Sequence, residues 1–252
     1  MVDNIKLWEM TRPQVEAALA DGYTTAVATF GATEQHGLHL PLGTDWLWGE
    51  ELGFHVARAL GNALLMPAVR IGRSEHHMDF AGSLTYSEDT FNGIVRDICQ
   101  SLARHGFREI VLLPTHGGNF KPVGAAAANI RPALPEVNII SYDDLIAFTR
   151  SMFDVAARYG FTPEHTGAHA GENETSLILA LYPDLVDTAS AQAGYVGDPI
   201  KLAERIFAAG FKSVTPNGVL GDPAGARAAH GEAYLEALTQ DVVEFVRAQR
   251  AG

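Results

Sequence analysis

Hydrophobic positions along this chain follow two rhythms. Thr24–Phe30 (TTAVATF), Ala63–Val69 (ALLMPAV), Glu109–Pro114 (EIVLLP) and Val137–Tyr142 (VNIISY) are short, nearly continuous apolar runs with β-branched residues, a pattern that predicts strands. They lack the polar alternation of a half-exposed sheet, so burial on both faces in a parallel sheet is expected. Between the runs the spacing becomes helical. In Glu88–His105, Phe91, Ile94, Val95, Ile98 and Leu102 recur on one face, with Ser87 as a candidate N-cap and Gly106 as the stop. Tyr234, Leu235, Leu238, Val242, Val243 and Val246 predict a closing helix in the last twenty or so residues. Strands alternating with helices imply an α/β fold, an α/β/α sandwich with a mostly parallel central sheet. The segment Ala189–Gly221 has several glycines and two prolines but is too mixed for a linker. Residues 1–252 are therefore expected to form one domain.

Composition narrows the function classes. A chain of 252 residues can bury a sizeable core, and 47% hydrophobic residues is too many for a disordered one. The balance of 18 Lys and Arg against 30 Asp and Glu, a net charge of -12, argues against nucleic-acid binding. The single cysteine, Cys99, rules out an internal disulfide framework. It falls with Phe91, Val95 and Ile98 on the apolar side of its helix, so a buried thiol is expected rather than a nucleophile. The N-terminus carries charges throughout and does not read as a signal peptide, and no apolar run approaches the roughly 18–20 residues of a membrane span. A soluble cytoplasmic protein with no membrane association is the expectation.

Seven histidines, His36, His39, His76, His77, His116, His165 and His169, lie in segments that also hold acids and glycines. The first cluster, Gly31–Asp45, follows the first predicted strand, so its polar groups lie at the strand edge where open α/β sheets bind ligands. Glu34 and His36 are two apart and share a face in extended backbone. Asp45 precedes the helical pattern Trp46–Leu60 and is either its cap or a ligand. The second cluster, His116-Gly-Gly-Asn119, follows a buried strand and brings a histidine to the same edge. It has neither GxGxxG nor GK[ST], which leaves little for a phosphate loop. The third, His169-Ala-Gly-Glu172-Asn-Glu174-Thr-Ser176, opens an apolar stretch, Leu177–Leu181. Acids at a helix N-terminus are ordinary, but the adjoining histidine is not explained that way.

Glu34, His36, Asp45, His116 and Glu172 together offer two imidazoles and three carboxylates. One divalent ion with an open position needs about three protein ligands, so five suit two ions if one carboxylate bridges. The charges agree: four positive charges meet three carboxylates, and one hydroxide balances the fourth. Without a thiolate among the ligands, zinc, manganese and iron all suit this nitrogen and oxygen set.

These segments resemble the creatininase family of metal-dependent hydrolases. The resemblance is carried by TEQHGLHLPLGTD at Thr33–Asp45, HGGN at His116–Asn119, HAGENETS at His169–Ser176 and GVLGDP at Gly218–Pro223, with Ser74–Ser83 as a further matching segment. It implies a single α/β domain, a dinuclear metal centre and a homo-oligomer, commonly a hexamer. By motif, Glu34, Asp45 and His116 resemble the ligands of one metal, and His36, Asp45 and Glu172 those of the other, with Asp45 bridging. His169 matches a histidine that is catalytic or supports the ligands, and Glu174 an acid of the same motif, so both are expected to be catalytic rather than ligands. In creatininase a metal-binding Glu lies two residues after the histidine of the second motif. Here that position is Gly118, which is why Glu172 is expected to take its place. The family's creatinine-hydrolysing members shield substrate with tryptophans just before the third-motif histidine, whereas Glu164–Ala168 has no aromatic residue, so creatinine is expected to be a poor substrate.

Other residues leave choices open. Trp46 and Trp48 flank the Asp45 turn and either wall a substrate pocket or fill a subunit interface. Of the adjacent His76 and His77, His77 matches the family position facing the site. Arg70, Arg73 and Lys121 lie near the motifs and either hold an anionic substrate or are solvated. The leading expectation is a hydrolase that opens a small cyclic amide. A lactonase with the same centre is the alternative, and a non-catalytic, metal-stabilised binding or assembly protein is the rival from another class.

Overall fold

The computed structural model describes residues 2, 4–198 and 200–251, apart from the side chains of Ile200 and Ala203. The elements run α1 (Arg12–Ala20), β1 (Thr25–Phe30), α2 (Thr44–Leu60), β2 (Ala63–Leu65), α3 (Glu88–Arg104), β3 (Glu109–Pro114), α4 (Phe120–Ile130) and β4 (Asn138–Ser141). They continue with α5 (Leu145–Arg158), α6 (Pro163–Thr166), α7 (Glu172–Leu181), α8 (Ala203–Ala209) and α9 (Ala228–Ala251). All four expected strands form, in one parallel sheet of order β2-β1-β3-β4. Every residue of β1 is buried, as continuous apolarity requires. The second strand is shorter than its apolar run: regular pairing ends at Leu65, shortly before Pro67, which has no N–H for the ladder. Beyond it Val69 bridges back to Phe30.

Local signals set the helix ends. The Ser87 hydroxyl accepts the Thr90 backbone N–H and starts α3, while Gly106, at φ +99°, lets the chain turn away. The buried face of α3 holds Phe91, Val95, Cys99 and Leu102. Each such side chain contributes about 1.5–3 kcal/mol on burial. α9 supplies Tyr234, Leu235, Leu238, Val242, Val243 and Val246 to the core. Among the described residues, no helix is long and apolar enough to cross a membrane.

The strand order positions the site. From β1 the chain crosses to β2 on one side, whereas β3 and β4 lie on the other, so the topology reverses between β1 and β3. Such a reversal opens a crevice at the carboxyl ends of the two strands. Gly31–Asp45 leaves β1 there and His116 leaves β3.

Candidate metal centre

Among the described residues, three overlapping groups of buried side chains bring potential ligand atoms within 4.8 Å of one another: Glu34, Asp45 and His116; His36, Asp45 and Glu174; and Glu34, His36 and His169. The first two share Asp45 alone. One oxygen of that carboxylate, Oδ1, lies 3.1 Å from His36 Nε2, and the other, Oδ2, lies 3.3 Å from His116 Nδ1. His116 Nδ1 is also 3.1 Å from Glu34 Oε1, and His36 Nε2 is 3.7 Å from Glu174 Oε2. Asp45 sits in the first turn of α2, whose N-cap is Gly43. The capping alternative for Asp45 therefore fails.

Proton positions test whether these residues suit a cation. His36 Nδ1 lies 3.1 Å from the Glu34 carbonyl oxygen, His116 Nε2 lies 3.0 Å from that of Arg73, and His169 Nε2 lies 2.7 Å from that of Gln35. A carbonyl oxygen only accepts, so each ring donates there and leaves its other nitrogen facing the carboxylates, where it can hold a cation once it has shed any proton. Metal-binding histidines are oriented in this way. Glu34 Oε1, Glu34 Oε2 and Asp45 Oδ2 are buried without a hydrogen bond. Ligands 2.0–2.1 Å from a shared ion stand about 3.3 Å apart in a tetrahedron, close to the spacings seen here. The donor set fits divalent cations.

Electrostatics favour positive charge at this point. Burial opposes a charged His36 ring, yet Asp45 and then Glu174 outweigh it and raise its pKa to about 9. Burial, reinforced by Asp45 and Glu34 against the pull of His36, lifts Glu174 to about 7. His169 and His77 go the other way: burial, followed by neighbouring imidazoles, lowers both well below the usual range and keeps them neutral.

The backbone brings the third motif to this edge. Ala168 and His169 N–H groups bond the Leu220 carbonyl, and Leu220 N–H bonds that of His169. The segment Gly218–Pro223 thus holds His169 in place. Ala170 has φ +51°, rare for a residue with a Cβ, and its N–H donates to Glu174 Oε2. That turn lets His169 and Glu174 face the same space.

One expected ligand is corrected. Glu172 lies outside all three groups and turns towards α9. Its carboxylate accepts from the Ser176 hydroxyl at 2.7 Å and His230 Nδ1 at 2.8 Å, and also from the Tyr234 hydroxyl. Residues two apart on a helix point about 200° apart, so only one acid of the pair can face the sheet edge, and that acid is Glu174, which joins a ligand group rather than standing apart as the catalytic acid expected. Gly118 does not carry a ligand either. A Cβ there would lie 2.2 Å from the Arg73 carbonyl oxygen and 2.5 Å from His116 Nε2.

The substrate candidates separate too. A pocket of about 240 Å³ opens beside Glu34, His77, His116 and His169. Trp48 is instead buried in the core against Phe148, and Trp46 lies half-buried under Arg70, 4.2 Å from its guanidinium carbon. The described lining of the pocket includes neither tryptophan. Arg73 pairs with Glu75 at 3.1 Å and serves the site through its carbonyl. Lys121 is exposed on α4. The apolar lining comes from Leu145 and Ile146 of α5, Ile206 and Phe207 of α8 and Phe211 beyond it. Sequence reasoning missed these walls because α5 and α8 carry no polar motif, and it missed Gln35, whose amide touches His77 and His169.

Comparison with known proteins places these features in context. A family model described as "Creatininase: Creatinine amidohydrolase" matches residues 8–246. The chain is 33% identical over 202 residues to the creatinine amidohydrolase of Pseudomonas putida, covering 74% of this chain and 75% of that protein. It is 28% identical over 236 residues to the mycofactocin precursor peptide peptidase of Mycobacterium ulcerans, covering 90% and 86% respectively. A solved mutant creatininase of the Zn–Zn type superposes with a TM-score of 0.81 at 27% identity, with 98% of each chain covered.

Proposed function

The chain belongs to the creatininase family of metal-dependent amidohydrolases, and from that premise we propose that it holds two divalent ions and hydrolyses the C–N bond of a small cyclic amide. The observation that carries this reading is Asp45, which offers one oxygen to His36 and the other to His116. Glu34, Asp45 and His116 would hold one ion, and His36, Asp45 and Glu174 the other. The three-carboxylate charge balance survives the exchange of Glu172 for Glu174. Zinc, manganese and iron all suit these donors.

When bound, such ions polarise a carbonyl and acidify water towards a pKa of about 7. The chain's own groups do the rest. His169, with Nε2–H held by the Gln35 carbonyl, presents Nδ1 to take a proton and pass it to the leaving nitrogen. Ile206, Phe207, Phe211, Leu145 and Ile146 line the pocket with apolar surface that excludes water. An amide nitrogen needs that proton more than a lactone oxygen does, which favours the amidase over the lactonase reading. A retained proton acceptor in a pocket also favours catalysis over a purely structural metal site.

The pocket mouth refines the substrate. Phe207 is 56% exposed and Ile146 51% exposed, and both line the pocket, which gives its solvent-facing part apolar side chains. Such a mouth suits an apolar substituent beside the scissile amide, and creatinine has none of any size. It also makes a peptide-like amide the second reading, in line with the peptidase relative. The test is a panel of lactams, cyclic ureides, lactones and short apolar peptides, followed by NMR with zinc or manganese present. Cyclic amides turned over fastest would support the proposal. Activity confined to lactones or to peptides would transfer it to those readings, and creatinine as the best substrate would remove the apolar argument. The reading includes a closed homo-oligomer, which a stable monomer in light scattering at micromolar concentration would contradict.

A further inference from the structure

Of the histidines that crowd this edge of the sheet, three follow one rule: His36, His116 and His169 each donate an N–H to a backbone carbonyl and turn the other ring nitrogen towards the carboxylates. His77 meets a different partner. Its Nδ1 lies 3.1 Å from the side-chain nitrogen of Gln35. The orientation of that amide is settled by its other end, because Gln35 Oε1 accepts the Gly37 backbone N–H at 2.9 Å and only an oxygen can do so. The nitrogen therefore faces His77, and its second hydrogen goes to the Gly218 carbonyl at 3.2 Å. It also approaches His169 Nε2 at 3.0 Å. That ring nitrogen is already committed as a donor to the Gln35 carbonyl at 2.7 Å, so this approach is a packing contact. The pocket for the amide is built for it: Gly218 has φ +81°, and a Cβ there would stand 1.9 Å from Gln35 Oε1.

An amide nitrogen only donates, so His77 Nδ1 accepts and the proton of this neutral ring resides on Nε2. Nε2 is buried, has no hydrogen bond among the described residues and lies 3.1 Å from Glu34 Oε1, and both residues line the pocket. A protonated ring nitrogen cannot bind a metal ion, whereas a lone pair at that spot would compete for one. We propose that Gln35 is a positioning residue that gives two neighbouring histidines opposite roles, leaving His169 Nδ1 as a lone pair facing the centre and making His77 Nε2–H a hydrogen-bond donor to the substrate oxygen. The catalytic half of this inference rests on the amidohydrolase reading, while the tautomers themselves do not.

The test separates the two. In zinc-loaded chain labelled with ¹⁵N-histidine, long-range proton–nitrogen spectra read which ring nitrogen carries hydrogen, with His77→Gln and His169→Gln giving assignments. Both rings are expected to be neutral and protonated at Nε2. In Gln35→Leu, His77 loses its fixed tautomer while His169 keeps Nε2–H, because its acceptor is a backbone carbonyl. Metal content should stay at the wild-type level. On whichever amide the chain hydrolyses, kcat should fall about 10²- to 10³-fold, the size expected for one lost oxyanion donor, with KM within a few-fold. Gln35→Glu, which keeps the shape but offers an acceptor, should move the His77 proton to Nδ1. Nδ1–H on His77 in the wild type, or an unchanged His77 in Gln35→Leu, overturns the assignment, and the wild-type spectrum decides even if a variant does not fold. Altered tautomers with unchanged kcat overturn the donor role. A chain that hydrolyses no amide defeats the functional reading and leaves the tautomers to be judged by the spectra.

Discussion

Exchanging the two acids of α7 for neutral residues should give opposite outcomes, and the difference follows from where each carboxylate points. In Glu172→Ala, Ser176 Oγ, His230 Nδ1 and the Tyr234 hydroxyl lose a shared buried acceptor. Each buried donor left unpaired costs about 1–3 kcal/mol. The three losses are not additive, and removing one side of a buried polar cluster typically costs about 3–5 kcal/mol in all. At this chain length that is a fall in Tm of about 6–20 °C. Metal content, by elemental analysis of protein kept well below its Tm, should remain near wild type. Glu174→Gln should do the reverse. In the metal-free chain it removes a buried carboxyl whose pKa is raised to about 7, so stability at pH 8 should hold or rise, while one of two ions is lost. Measuring Tm with EDTA and with excess zinc for both variants separates structural loss from lost ligand binding, since ions that bind only the folded chain add stability in proportion to the logarithm of their concentration. Loss of an ion from Glu172→Ala with full retention in Glu174→Gln would refute the helix-phase argument and restore the original ligand assignment.

Further outcomes follow from the same geometry. Asp45→Ala should release both ions, and retention of either at full occupancy would remove its bridging role. Gly118→Glu should destabilise the chain without adding a ligand, because its Cβ would collide with the Arg73 carbonyl; a Tm at or above wild type would count against the backbone described here. In the EDTA-treated chain, His36 is held at about 9 against 6.5 unfolded. Its raised pKa means its contribution is full below pH 6.5 and lost as pH rises through 9, so urea titrations should find about 2–3 kcal/mol less stability at pH 9 than at pH 7, a loss that zinc should abolish. Burial lifts the Cys99 thiol to about 11, so alkylation at pH 8 should be slow in the folded chain and rapid in urea.

Much of this was legible before any coordinates, for identifiable reasons. Strands buried on both faces announce themselves as continuous apolar runs, so β1 and β3 were readable to within a residue, and with them the sheet edge where Glu34, His36, Asp45 and His116 converge. Ligand positions that follow a strand inherit the strand's direction. A ligand at a helix start does not, because its direction depends on where the first turn begins, and Glu172 and Glu174 are equally good acids by spacing. What decides between them is Ala170 at φ +51° on one side and His230 with Tyr234, some sixty residues later, on the other. Neither constraint is local to the motif. Trp48 escaped both expectations for a related reason: its position near Asp45 suggested the pocket or a subunit interface, but α2 turns it inward onto Phe148. Gln35 was overlooked because an amide is chemically silent in a motif of acids and imidazoles. Its importance lies in having a donor end and an acceptor end, which can assign protons to its neighbours only once a backbone N–H has fixed which end is which.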